Sequence, residues 1–178
     1  MESNFDPAKT CCFTGHRPDK CKGTEETIRL KLKKEIVNAI GAGYDTFITG
    51  MAPGVDTWAA EEILKIKAEN SAIRLIAAVP FPGVEKDRDA ELRERFKTIL
   101  DNADCVHYVC PGFRRWAFHA RDAWMVDRSS LVIAVFNGSH GGTEWTVNYA
   151  KKKNLAVALI NDELTAGEDN RPAEDLPQ

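Results

Sequence analysis

The chain has 178 residues, 43% of them hydrophobic, and a formal net charge of −3. That length buries one core and leaves little room for a second fold, so a single domain is expected. Six acids against Arg171 put −5 on residues 161–178 and leave +2 on the rest of the chain, which excludes a general attraction for nucleic acid but not a local anion site.

The start, MESNFDPAKT, lacks a basic segment followed by an apolar run, and no window approaches the roughly 18 apolar residues of a membrane span. A cytoplasmic protein without a membrane partner is expected. The five cysteines, Cys11, Cys12, Cys21, Cys105 and Cys110, form an odd set with no paired metal-ligand spacing. Reduced thiols that fill apolar space are expected, and no metal site.

Strand and helix signals alternate along the chain. KTCCFTG (9–15) is a short apolar run ending in glycine and predicts a buried strand. Thr24 followed by Glu25 and Glu26 reads as a cap and acidic first turn. The helix that follows places Ile28, Leu32, Ile36, Val37 and Ile40 on one stripe and stops at GAG (41–43). DTFITG (45–50) is the second strand, and residues 57–70 form a helix with Trp58, Ile63 and Ile66 turned inward.

IRLIAAVP (73–80) is apolar at consecutive positions, as a strand covered on both faces must be. A charged helix over 86–103 and a fourth strand over 104–110 follow. Residues 113–130 are expected to be helical in their second half, and lead into the strand LVIAVF (131–136). A glycine turn and a helix then connect to the last strand, LAVALI (155–160). Six strands linked by crossover helices predict an α/β, doubly wound, mainly parallel Rossmann-like sheet. The domain is expected over 1–160, with an acidic, flexible tail over 161–178.

In such a sheet, ligands gather beyond the carboxyl ends of the strands. Four of those ends carry unusual residues. TGHRP brings Gly15, His16 and Arg17; TGMAPGVD brings Gly50, Met51, Gly54 and Asp56; VPFPG brings Pro80; and NGSHGGTE brings Gly141, Gly142, Thr143 and Glu144. The glycines let backbone amides and helix N-termini approach an anion, and Arg17 can fork a phosphate or carboxylate. Taken singly, each glycine also reads as an ordinary turn, and His16 with Arg17 as an exposed loop pair. Arg121 and Asp127, on the helix before the fifth strand, are candidates for a phosphate and a ribose hydroxyl, or else a solvated surface pair. His107 and His119 read as structural, and His140 as a loop residue.

A nicotinamide fingerprint is missing, because TGHRPDKCKG stands where G-x-G-x-x-G belongs and the one G-x-G, at 41–43, caps a helix. No G-K-[ST] supports a Walker A loop either.

CCFTGHRP, TGMAPGVDTWAAE and RDAWMVDRSSLVIAVFNGSHGGTEWTVNYA together resemble the YpsA-like family of the SLOG superfamily, which includes the DNA-processing protein DprA and the LOG phosphoribohydrolases. The resemblance runs from Cys11 to about Ile160. It implies a Rossmann-like domain whose glycine loops bind a nucleotide or nucleotide-derived ligand, such as one like ADP-ribose, with no cofactor required. In the LOG enzymes, an arginine ahead of a PGGxGTxxE loop and the loop's final glutamate support cleavage of an N-glycosidic bond.

Here Arg121 holds the similar place, but the loop reads GGTEWT and Thr146 stands where the glutamate belongs. Glu144 is displaced by two residues, about 200° around a helix. This departure favours a non-catalytic sensor or regulator. The alternative is a nucleotide N-glycosidase using Glu144 or Asp56, and a third reading is a ligand-switched partner of other proteins. The basic aromatic groove that single-stranded DNA requires is not expected on a body of this charge. Surplus apolar helix surface makes a homo-oligomer an expectation.

Overall fold

A strand buried on both faces must send alternate side chains into two different layers, and the central strands do so. The computed structural model describes residues 5–163. In β1 (Thr10–Gly15), Cys11 and Phe13 join Phe47 and Leu75 in one core, while Cys12 joins Ile48 and Ile76 in the other. The remaining strands and α-helices are α1 (Glu25–Gly41), β2 (Thr46–Thr49), α2 (Val55–Glu69), β3 (Arg74–Val79), α3 (Ala90–Asn102), β4 (Cys105–Tyr108), α4 (Ala117–Val126), β5 (Leu131–Val135), α5 (Gly142–Lys152) and β6 (Ala156–Ile160). From residue 164 onward, the acidic tail expected over 161–178 lies outside the described residues.

All five strand pairings are parallel, in the order β4-β3-β2-β1-β5-β6. The expected Rossmann-like sheet is therefore present. The chain runs outward from β1 through β4, then returns to β1's other edge as β5, so the order reverses between β1 and β5. Helices α1, α2 and α3 cover one face through Leu32, Ile63 and Ile99. Helices α4 and α5 cover the other through Met125, Val126 and Val147. Arg29 and Arg95 tie the first layer together, pairing between them with Glu25, Glu61 and Glu62.

Several boundaries differ from the periodic reading. The charged helix begins at Ala90 rather than Lys86, because the Asp89 carboxylate accepts the Leu92 amide at 2.8 Å and fixes the start there. The α4 helix spans Ala117–Val126, earlier than the expected second half of 113–130, and Val37 is 53% exposed on the outer side of α1. Among the described residues, no helix is long and apolar enough to cross a membrane.

Candidate functional site

The crevice of a doubly wound sheet opens where strand order reverses, and here a hollow of about 660 Å³ lies over the β1, β2 and β5 ends. That volume is in the range of small-molecule sites. Gly15, His16 and Arg17 line it from β1; Gly50, Met51 and Asp56 from the β2–α2 turn; Pro80 from β3; and Gly141, Gly142 and Thr143 from the β5–α5 turn. Sequence elements far apart in the chain thus meet at one opening.

Two helices with glycine at the cap position, α2 and α5, point their N-termini at this crevice. The Thr24 hydroxyl caps α1 and the Asp89 carboxylate caps α3, and Trp116 before α4 makes no capping bond; Gly54 before α2 and Gly141 before α5 have no side chain to make one. The first amides of those two helices are left for another acceptor. Gly54 adopts φ +92°, which side chains rarely tolerate, and a Cβ there would lie 2.8 Å from the His16 carbonyl. Its role is to let the β2–α2 turn pack against the β1 loop; it does not line the crevice.

Beneath the β2–α2 turn lies a buried charged cluster. Arg121 is 7% exposed and donates from Nη1 to the Gly50 carbonyl. The same atom stands 3.6 Å from Asp56 Oδ2, and Nε stands 2.8 Å from Asp122 Oδ1 but out of hydrogen-bond alignment. Arg121 therefore keeps one buried N–H without an aligned acceptor while lining the crevice. Asp56 accepts the Ala52 amide at 3.3 Å, and the Thr49 hydroxyl holds the Asp56 carbonyl at 2.9 Å. Burial pushes the Asp56 carboxyl up to about 6 despite the attraction of Arg121, and burial likewise raises Asp122.

His16 serves a different purpose. Its ring is buried, and Nε2 faces the Asn137 amide at 3.5 Å and the Ser139 hydroxyl at 3.4 Å, joining the β1 loop to the β5 loop. Burial lowers its pKa, which favours the neutral ring, and Nε2 accepts the Asn137 amide. Arg17 is exposed at the mouth.

Sequence reasoning missed a second cation and an aromatic wall. Arg88 lines the crevice, donates to the Met51 carbonyl at 2.8 Å and lies 4.7 Å over the Phe96 ring. Phe81 packs edge-on against Phe113 and Phe118, at 5.5 and 5.8 Å between ring centres, and all three border the crevice. The available signal was the presence of Phe113, Trp116 and Phe118 within the charged run FRRWAFHARD. His119, read as structural, also lines the crevice, while His107 stacks on Trp124 at 4.4 Å.

Besides Gly54, two candidates stand apart. Asp127 lies beyond the far end of α4, where it accepts the Tyr149 hydroxyl at 3.0 Å and pairs with Lys153 at 3.0 Å; it is the solvated pair of the plainer reading, with different partners. Glu144 does not line the crevice, and its carboxylate meets His140 Nδ1 at 2.9 Å. Thr146, in the place of the LOG glutamate, is buried and donates to the Gly142 carbonyl at 2.9 Å. Among the described residues, no group of His, Cys, Asp and Glu is arranged to hold a metal ion.

The model of the YspA SLOG family matches residues 11–163. The chain is 32% identical over 125 residues to the uncharacterized SPbeta prophage-derived protein YoqJ of Bacillus subtilis, covering 64% of this chain and 73% of that protein. It is 25% identical over 118 residues to a UPF0398 protein of Brevibacillus brevis, covering 65% of this chain but only 63% of the relative. Among solved structures, DNA processing protein A from Helicobacter pylori, for which a single-stranded DNA binding mode is described, superposes with TM-score 0.62 at 15% identity. That match covers 90% of this chain and 68% of the other. DprA from Streptococcus pneumoniae gives 0.61 at 16% identity, over 90% of this chain and 53% of that one. These two likenesses establish the shared fold.

Proposed function

The chain belongs to the YspA SLOG family, and from that premise we propose that its strand-end crevice binds a nucleotide or nucleotide-derived ligand of the ADP-ribose type and leaves it intact. The observation that carries this reading is the convergence of two uncapped helix N-termini, α2 and α5, on one crevice that the Arg121 guanidinium also lines. A phosphate satisfies such amides and complements such a cation. The Phe81, Phe113 and Phe118 wall supplies the apolar surface that a base needs beside it. Binding without turnover is supported by the first turns of α5, where Thr146 stands in the place of the glutamate and Glu144 is held by His140. The ligand then acts as a signal rather than a substrate.

A second reading rests on Asp56. A carboxyl pushed up to about 6 inside a ligand-sized hollow is suited to proton transfer near neutral pH, so N-glycosidic hydrolysis through Asp56 is the alternative. Titration calorimetry with AMP, ADP and ADP-ribose, followed by chromatography of the mixtures, separates the two. Saturation near one equivalent with no free base is expected. Release of base would install the hydrolase, and no heat at millimolar ligand would overturn both.

Oligo(dT) belongs in the same series, because the exposed Phe113, Arg114, Arg115 and Trp116 make a local basic and aromatic edge that whole-chain charge does not register. Tighter binding of oligo(dT) than of any mononucleotide would move the assignment to single-stranded DNA.

A further inference from the structure

A second hollow, more open and of about 800 Å³, adjoins the crevice on its α5 side. The two share His119, Gly141 and Gly142. The uncapped amides at the start of α5 therefore lie on the boundary between two cavities, each furnished with aromatic rings. The inner one has the Phe81, Phe113 and Phe118 wall. The outer one has Trp145 and Tyr149, one turn apart on α5, stacked at 5.1 Å and 9° between planes. His119 tilts against Trp145 at 4.9 Å on the boundary itself.

An amphipathic helix normally turns large rings toward the core, yet the buried face of α5 consists of Thr143, Thr146, Val147 and Ala150. Trp145 is only half-buried and faces the hollow instead, while Tyr149, which also lines it, packs against the second core and carries the Lys153 ammonium 5.3 Å over its ring. Lys152 stands on its rim, and Glu144 there is already paired with His140. Aromatic rings, then helix amides, then aromatic rings, with cations on both sides, is the order of groups that recognises base, phosphate, base.

We propose that the outer hollow is a second nucleoside subsite, so that the ligand of the crevice is a small dinucleotide whose linking phosphates rest on the Gly141–Thr143 turn. This rests on the nucleotide reading of the crevice given above and names the class of ligand within it. A mononucleotide fills only the inner hollow. A dinucleotide gains the second stacking surface without altering the first, and the protein distinguishes the two by length.

The test compares ADP with diadenosine triphosphate by titration calorimetry, on the wild-type chain and on Trp145→Ala, Trp145→Phe and Lys152→Glu. Wild type is expected to bind diadenosine triphosphate at least tenfold more tightly than ADP, the scale of one base stacked on an aromatic side chain. Trp145→Ala removes that advantage while ADP affinity stays within twofold, and Trp145→Phe restores most of it. Lys152 is exposed, so Lys152→Glu cannot act by unfolding the chain; it is expected to weaken the dinucleotide alone. Equal affinities of wild type for the two compounds, or equal losses for both in Trp145→Ala and Lys152→Glu, would overturn the second subsite while leaving the crevice reading in place. Failure of wild type to bind either compound would overturn both.

Discussion

Arg121 stands 3.6 Å from Asp56 and donates to the carbonyl of Gly50, 71 residues earlier in the chain. One side chain of α4 thereby braces the β2–α2 turn from the opposite layer of the sheet. Its Nε lies beside Asp122, so two buried carboxylates depend on one guanidinium.

Removing that cation takes the nearest counter-charge from both acids. Arg121→Met is expected to destabilise the protein by about 3 kcal/mol at pH 7, the scale of breaking a buried ion pair. Arg121→Lys should recover part of the loss, since it keeps the charge and forfeits the fork. Urea unfolding at pH 7 measures both. A loss within 0.5 kcal/mol, on the scale of ordinary surface substitutions, would show that the cluster is not a structural brace.

The Asp56 carboxyl, at about 6 in the folded chain against an ordinary 3.8, makes stability depend on pH with a definite sign. The folded state holds the proton more tightly than the unfolded one, so the contribution is fully present below pH 4 and is lost as pH rises through 6. Its size is on the order of 2 to 3 kcal/mol. Wild type should lose stability relative to Asp56→Asn between pH 4 and 6.5, and the two profiles should run parallel above that. Thermal melting across the range, with the difference between the two curves as the readout, checks this. Curves parallel throughout would mean that the Asp56 carboxyl titrates alike in the folded and unfolded chains.

Gly142 and Gly15 separate binding from folding. A Cβ at Gly142 meets no atom within 4 Å, whereas one at Gly15 would lie 2.5 Å from the buried Val55. Gly142→Trp is expected to fold normally and to lose nucleotide-induced thermal stabilisation, because its side chain projects into the crevice. Gly15→Ala should lower the melting temperature with or without ligand. Retained stabilisation in Gly142→Trp would clear the β5–α5 turn of any role in binding.

Much of this architecture was legible before any coordinates. The consecutive apolar residues of IRLIAAVP could only belong to a strand covered twice, and the glycines after β1, β2 and β5 marked the end of the sheet where the crevice opens. What escaped was long-range pairing. Nothing in TGMAPGVD reveals that Asp56 is shared between Arg121 and the Ala52 amide, or that Arg88 reaches the Met51 carbonyl. Asp127 was misplaced for a geometric reason. It follows Arg121 by six residues, nearly two turns, which carries it along α4 to the end away from the crevice. The aromatic wall was hidden because Phe81, Phe113 and Phe118 come from separate loops and helices, with no shared periodicity.

Amide NMR with ADP is the most direct measurement. Nitrogen-15 spectra recorded during titration should show the largest saturable shifts at Val55, Asp56, Gly142 and Thr143, the first residues of α2 and α5, with the Arg121 Nε signal moving alongside them. Saturable shifts confined to another face of the sheet, or none at millimolar ADP, would contradict an anion site built from those two helix starts.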